Sequence, residues 1–272
     1  MQHHTIDTST TIEEYDSLYA QYLSSKTLRL NTMLLEINPD AYTLWNDRRA
    51  LYDIEPTKEL KWLKSVIPVQ PKSYWTWNHR LFVIKQAQLD TLWDAEMALI
   101  TAFLHKDERN FHVWDYRKRI LNARYGDYWS NQSCLEAELA FTTTMIQRSF
   151  SNYSAWHWRS KVLSALHYMS DITQILVKDL EMLLHCFYAD PMDQSGWFYF
   201  HWVMQHDIPR KYCEDTWDAL IELEEMEPQC IWIKRGLFSL SPKAGKPFDK
   251  TELLSMDKRH ALYTHGLVNS DV

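Results

Sequence analysis

Five arginines are spaced so that they could act as a set. Arg48, Arg80, Arg117, Arg159 and Arg235 each follow a tryptophan by three residues, at Trp45, Trp77, Trp114, Trp156 and Trp232. On a helix an i,i+3 pair shares one face, so each guanidinium points the way its tryptophan does. Such a row could grip an anionic ligand through forked N–H donors. The same spacing suits a structural role, in which Trp fills the core between repeats while Arg stacks on it or pairs with a neighbouring carboxylate; that role is the one expected here. Twelve histidines raise metal chemistry, but none stands at i,i+4 from another with a third ligand beside it, so no metal site is expected in this chain. Cys134, Cys186, Cys213 and Cys230 lie far apart with no CxxC pairing, and no apolar signal segment opens the sequence. Reduced thiols and a cytoplasmic location are therefore expected.

The tryptophans themselves mark a repeat. The blocks AYTLWNDR, SYWTWNHR, NFHVWDYR, NYSAWHWR, DQSGWFYF and PQCIWIKR place Trp45, Trp77, Trp114, Trp156, Trp197 and Trp232 at separations of 32, 37, 42, 41 and 35. Four residues before these anchors stand Ala41, Ser73, Asn110, Asn152, Asp193 and Pro228. Ser, Asn and Asp accept hydrogen bonds from the first free N–H groups of a helix, so a helix is predicted to start at each. The aromatic next in line is Tyr42, Tyr74, Phe111 or Tyr153, and becomes Gln194 and Gln229 in the last two units; Phe200 replaces the arginine in the fifth. Between anchors a second helical periodicity runs through Leu92, Ala95, Leu99, Ala102 and Phe103, then Cys134, Ala137, Phe141 and Met145, then Leu176, Leu180, Leu183 and Phe187. Each unit is thus a helix pair, and Pro39, Pro71, Pro191 and Pro228 punctuate the turns.

One helix pair cannot bury both its apolar faces, so successive pairs must stack. The predicted fold is all-α: an α-solenoid of about six helical hairpins forming a curved superhelix, a single repeat domain over 1–272. An N-terminal cap is expected over about 1–36, its helix opening at Glu13, Glu14 and Tyr15, and a C-terminal cap over about 250–272, with a last short helix from Leu253 to Leu267. Composition agrees. Only 5 of 272 residues are glycine and no phosphate-binding Gly-rich loop occurs. A formal charge of −7 argues against nucleic-acid binding, and no apolar run is long enough to span a membrane.

The Trp-x-x-Arg helix preceded by Asn-aromatic, at a variable period of 32 to 42, resembles the repeat of the protein prenyltransferase α-subunit family. Within it, DPMDQSGWFYFHW at 190–202 and LEEMEPQCIW at 223–232 are similar to signatures of the Rab geranylgeranyltransferase type. The resemblance covers roughly residues 15 to 268. It implies an α subunit that wraps a separate β subunit in an obligate heterodimer. Zinc, which activates the acceptor thiol as its thiolate, is expected on the β subunit, with no cofactor bound by this chain. It further implies transfer of geranylgeranyl from geranylgeranyl diphosphate to C-terminal cysteines of Rab GTPases presented by a Rab escort protein.

Carried over residue by residue, Lys72 and Tyr74 in PKSYW and His112 in NFHVW match the family's diphosphate-contacting residues, and are expected to serve both substrate binding and catalysis. They flank predicted helix starts, where free N–H groups and the helix dipole favour an anion. Phe111 stands where farnesyl enzymes carry Tyr. Asn110 and Asn152 are assigned to capping, and Trp75 and Trp158 to packing or to the subunit interface. Two alternatives are the α subunit shared by farnesyltransferase and geranylgeranyltransferase type I, for which Tyr at 111 and no DQS block would be expected, and a non-catalytic prenyltransferase-like scaffold for protein binding.

Overall fold

A computed structural model describes residues 8–87, 90–249, 251 and 253. All its elements are helical. The expected C-terminal cap, with the helix from Leu253 to Leu267, lies outside the described residues except for Thr251 and Leu253. The chain divides into two compact units, one ending at Asp127 and one beginning at Tyr128.

The first unit contains α1 (Thr8–Ser24), α2 (Leu28–Ile37), α3 (Tyr42–Leu51), α4 (Pro56–Val66), α5 (Tyr74–Ala87), α6 (Thr91–Lys106) and α7 (Phe111–Tyr125). Helix α2 packs on α3, α4 on α5 and α6 on α7, while α3, α5 and α7 stack in turn. Helix α1 begins at Thr8, ahead of Glu13, Glu14 and Tyr15, so these sit inside the helix and do not open it. The region expected as a cap also includes α2, which is the first arm of the first hairpin.

In the second unit a short 3-10 turn, Tyr128–Ser130, leads into α8 (Gln132–Arg148), α9 (Tyr153–His167), α10 (Thr173–Ala189), α11 (Gln194–Val203), α12 (Arg210–Met226) and α13 (Ile231–Ala244). Here α8 pairs with α9, α10 with α11 and α12 with α13, and α11 packs against both α9 and α13. Among the described residues there are therefore six hairpins, three in each unit, as the tryptophan period predicts. Gly236 permits the α11–α13 approach: a Cβ there would stand 2.6 Å from the Trp197 ring.

Each anchor tryptophan is buried, and its indole N–H needs a partner inside the core. Five find the same one, a carbonyl six residues earlier: Trp45 to Pro39 (2.8 Å), Trp77 to Pro71 (2.9 Å), Trp114 to Glu108 (2.8 Å), Trp156 to Phe150 (2.8 Å) and Trp197 to Pro191 (2.9 Å). The ring thereby fills the core and also fastens the turn that enters its own helix.

The arginines take the structural role. Arg48 forks onto both oxygens of Glu59 (2.6 and 2.8 Å), Arg80 onto Glu96 (2.5 and 2.9 Å) and Arg159 onto Asp179 (2.8 and 2.7 Å). All six side chains are buried. These carboxylates, and Glu138, also accept a bond from the second helix of their own hairpin. Glu59 is bonded by His79 (2.8 Å), Glu96 by Tyr116 (3.2 Å), Glu138 by Trp158 (2.8 Å) and Asp179 by Tyr199. Every one of these pairs is twenty residues apart. Glu59, Glu96 and Asp179 each thus accept two bonds from an arginine of the preceding hairpin, which docks the two hairpins, and a third from the second helix of their own, which holds it closed; such bonding is what makes a buried charge tolerable. Trp158 is packing, as one of its two expected roles had it. Phe200, in the arginine position, closes the fifth hairpin by aromatic contact with Phe187 and Trp197.

The sixth unit departs from the predicted register. Helix α13 begins at Ile231 with Cys230 at its N-cap, two residues after the predicted start at Pro228, which lies in the preceding turn. The Cys230 thiol donates to the Pro191 carbonyl (3.2 Å), as Ser73 does to Pro39 (3.0 Å) and Asn110 to Pro71 (3.2 Å) in their repeats. The residue four beyond that cap is Lys234, buried and paired with Glu224 (2.8 Å). Trp232 therefore does not occupy the anchor position, and Arg235 stacks on its ring at 4.7 Å.

One partly buried histidine makes the second unit sensitive to acid. Burial, then the charge of Arg235, pushes His201 down to about 4, and Ser239 Oγ stands 2.9 Å from its Nδ1. Its folded value is depressed, so the unfolded chain takes up the proton first as pH falls. Stability held above about pH 6.5 is then lost towards pH 4, by roughly 2–3 kcal/mol. Urea unfolding at pH 7 and pH 4.5 should show this loss, and His201→Phe should shrink it.

Candidate anion-binding site

Lys72 lies in the turn between α4 and α5, immediately before Ser73, whose hydroxyl donates to the Pro39 carbonyl of the previous repeat. The lysine is two-thirds exposed, and its Nζ stands 3.4 Å from Asp107 at the C-terminus of α6. Three residues on, Asn110 caps α7, its Oδ1 accepting from the His112 and Val113 backbone N–H groups (3.1 and 3.3 Å). Its Nδ2 donates to the Pro71 carbonyl (3.2 Å). Asn110 caps the helix as the sequence predicts, and it also ties the start of α7 to the turn that carries Lys72. The position of His112 relative to Lys72 is therefore set by side chains of the repeat itself.

His112 is the second residue of α7, with the exposed Phe111 ring packed on it at 3.9 Å. Partial burial holds its pKa below the ordinary histidine range; Asp115 and Asp40 work against this shift, and the Lys72 charge adds to it. Lys72 and His112 are thus electrostatic neighbours at adjacent helix entries. Among the described residues no three His, Cys, Asp or Glu side chains come together in a way that could hold a metal ion.

Tyr74 opens α5 and is half exposed. Its ring packs edge-on against Trp75 (5.2 Å), which in turn meets Tyr42 (5.6 Å). The Arg119 guanidinium of α7 lies over it at 5.9 Å, and Tyr74 also acts electrostatically on Arg49 at the end of α3. The structure therefore brings Lys72 and His112 together and groups Tyr74 with Arg49 and Arg119. Sequence reasoning missed those two arginines because it followed the Trp-x-x-Arg spacing. Arg49 adjoins Arg48, and Arg119 stands two residues after Arg117; each is rotated off the buried face, where the three-residue spacing does not look.

The model of the protein prenyltransferase alpha subunit repeat matches residues 56–87, 93–124, 135–166 and 176–207, which are the hairpins α4–α5, α6–α7, α8–α9 and α10–α11. The geranylgeranyl transferase type-2 subunit alpha of Dictyostelium discoideum is 35% identical over 248 residues, covering 84% of this chain and 77% of that protein. The chain belongs to the geranylgeranyl transferase type-2 α-subunit family. Its human member is 37% identical over 278 residues, 88% of this chain. The chain spans only 41% of the length of that human relative. In fold, the chain is similar to a solved Candida albicans protein geranylgeranyltransferase-I complexed with GGPP, with a TM-score of 0.60 at 18% identity, covering 94% of this chain and 90% of that one. Lys72 and Tyr74 lie at the entry to the second helix of one hairpin, and His112 at the entry to the second helix of the next. Among the described residues of this family member, no helix is long and apolar enough to cross a membrane.

Proposed function

We propose that this chain is the α subunit of a heterodimeric geranylgeranyltransferase that modifies C-terminal cysteine thiols of Rab GTPases. The observation that carries the reading is the placement of Lys72 and His112 at two adjacent helix entries that Asn110 ties together through the Pro71 carbonyl, in a chain that belongs to the type-2 α-subunit family. In the reaction the acceptor thiolate attacks C1 of geranylgeranyl diphosphate, the C1–O bond breaks, and the diphosphate leaves with the bonding electrons. Zinc held by the β subunit supplies the thiolate. This chain's residues meet the leaving group. Lys72 offers a point charge to the developing negative oxygens, and the helix entries offer N–H groups. His112, neutral beside Lys72, takes up a proton as the anion binds. Tyr74 adds a phenol at the rim.

A β subunit is the obligate partner in this reading, an escort protein presents the Rab substrate, no cofactor is bound by this chain, and the complex works in the cytoplasm. Phe111 supports the Rab type over the farnesyl type, since it lacks the hydroxyl that Tyr would bring next to His112. In the heterodimer, Lys72→Ala should lower the rate of prenyl transfer about ten- to a hundredfold, equivalent to ~1.4–2.7 kcal/mol, with zinc content unchanged. Single-turnover transfer of labelled geranylgeranyl checks this, and an unaltered rate would remove Lys72 from the site.

A further inference from the structure

Arg49, Tyr74 and Arg119 come from the second helices of three successive hairpins, α3, α5 and α7. Arg49 donates its Nε–H to His79 Nδ1 (3.1 Å) and lies over the Phe82 ring at 5.0 Å. Its Nη2 is buried and has no hydrogen-bond partner. Arg119 donates to Asn78 Oδ1 (2.8 Å), and Asp115, one turn back, stands at 4.0 Å, beyond hydrogen-bond reach. The two guanidinium groups bond to adjacent residues of α5, His79 and Asn78; burial depresses the Arg49 pKa, Tyr74 works against this shift and the Arg119 charge adds to it. The buried arginines Arg48, Arg80 and Arg159 are each forked onto a carboxylate. Arg49 departs from that pattern, and a buried N–H without an acceptor is destabilising.

We propose that Arg49 and Arg119 together receive one carboxylate, an Asp or Glu side chain presented by the partner subunit. The proposal rests on the reading of this chain as an α subunit. The chemistry of the surroundings favours a protein over a small anion. Tyr42, Tyr74 and Phe111 expose their rings on the same three helices, and Trp75 lies half-buried between the first two. Exposed tyrosine and arginine around a desolvated charge is the composition of an interface hot spot. Two flat guanidinium groups offer the paired donors that a carboxylate accepts, which a lysine ammonium cannot reproduce.

The test is the affinity of the chain for its β subunit. Arg49→Met should weaken association about ten- to a hundredfold, and Arg49→Lys should restore little of it, while the helical circular dichroism of the chain stays unchanged. Arg119→Gln leaves the Arg49–His79 bond in place and should weaken association in the same direction, so a misfolded Arg49→Met does not decide the matter. Wild-type affinity in Arg119→Gln, or in a folded Arg49→Met, would overturn the proposal while leaving the proposed function intact. If inorganic diphosphate bound the wild-type chain and either variant abolished that binding with association intact, the acceptor would be a phosphate site and the proposal wrong. If the wild-type chain formed no complex at all, the proposed function would fail and this proposal with it.

Discussion

Replacing Arg159 with Met should destabilise the second unit by about 3–5 kcal/mol. Arg159 bonds both oxygens of Asp179, and its Nη1 also reaches the hydroxyls of Thr142 (3.2 Å) and Thr143 (2.9 Å) on α8. Methionine fills much of the same volume, so little of the loss comes from packing. The cost arises because Asp179 is left buried with only Tyr199 to bond it. That origin makes a second expectation. Arg159→Met combined with Asp179→Leu should recover a large part of the loss, since a buried pair replaced as a whole by apolar side chains of similar size is often neutral. Urea unfolding followed by circular dichroism measures both. A single-mutant loss below about 1 kcal/mol would mean that the carboxylate links do not hold the hairpins.

Trp77→Ala should cost the first unit about 3–5 kcal/mol through the cavity left by the indole. The ring packs edge-on against Phe103 (5.4 Å) and lies against Tyr116 (4.8 Å), so its loss loosens the contacts of α5 with both helices of the next hairpin. Trp77→Phe should cost much less, near 1–2 kcal/mol, because the Pro71 carbonyl keeps its bond from Asn110 when the indole N–H is gone. Pro71 adjoins Lys72. The two substitutions therefore separate the stability of the repeat from the placement of the lysine: Trp77→Phe should leave prenyl transfer close to wild type, and Trp77→Ala should lower it together with stability. Thermal melting and transfer rates on the same preparations check the pair.

The number of hairpins and their boundaries were readable because a buried tryptophan needs a hydrogen-bond partner, and the repeat supplies it six residues back, where Pro39, Pro71 and Pro191 end the preceding turns. Trp232 misled for the same reason: the sequence around it, PQCIW, imitates an anchor, while the chain places Cys230 at the cap and Lys234 in the core. Only the third dimension tells a buried lysine with a glutamate partner from a misaligned tryptophan. The links from Glu59 to His79, Glu96 to Tyr116, Glu138 to Trp158 and Asp179 to Tyr199 share a constant interval of twenty residues even though the repeat length varies. Insertions fall outside that interval, because a change within it would break the bond that joins the two helices of one hairpin. The residue types at its far end differ, as His, Tyr and Trp all donate to a carboxylate, and this hid the pattern from a search for identical residues. At the candidate site, Lys72, Tyr74 and His112 were legible only by resemblance, since exposed residues leave no periodic trace. Arg49 left none either, because its character comes from Phe82, His79 and Arg119, which only the stacking of α3, α5 and α7 brings to it.

The most direct test of the central claim is reconstitution. The chain would be co-expressed with a type-2 geranylgeranyltransferase β subunit, purified by size exclusion, and supplied with labelled geranylgeranyl diphosphate and an escort-bound Rab protein. The account predicts a 1:1 complex that transfers the label to the Rab protein and does not transfer it when the chain is left out. A complex that labels only CaaX peptides, or a chain that forms no complex with the β subunit, would contradict it.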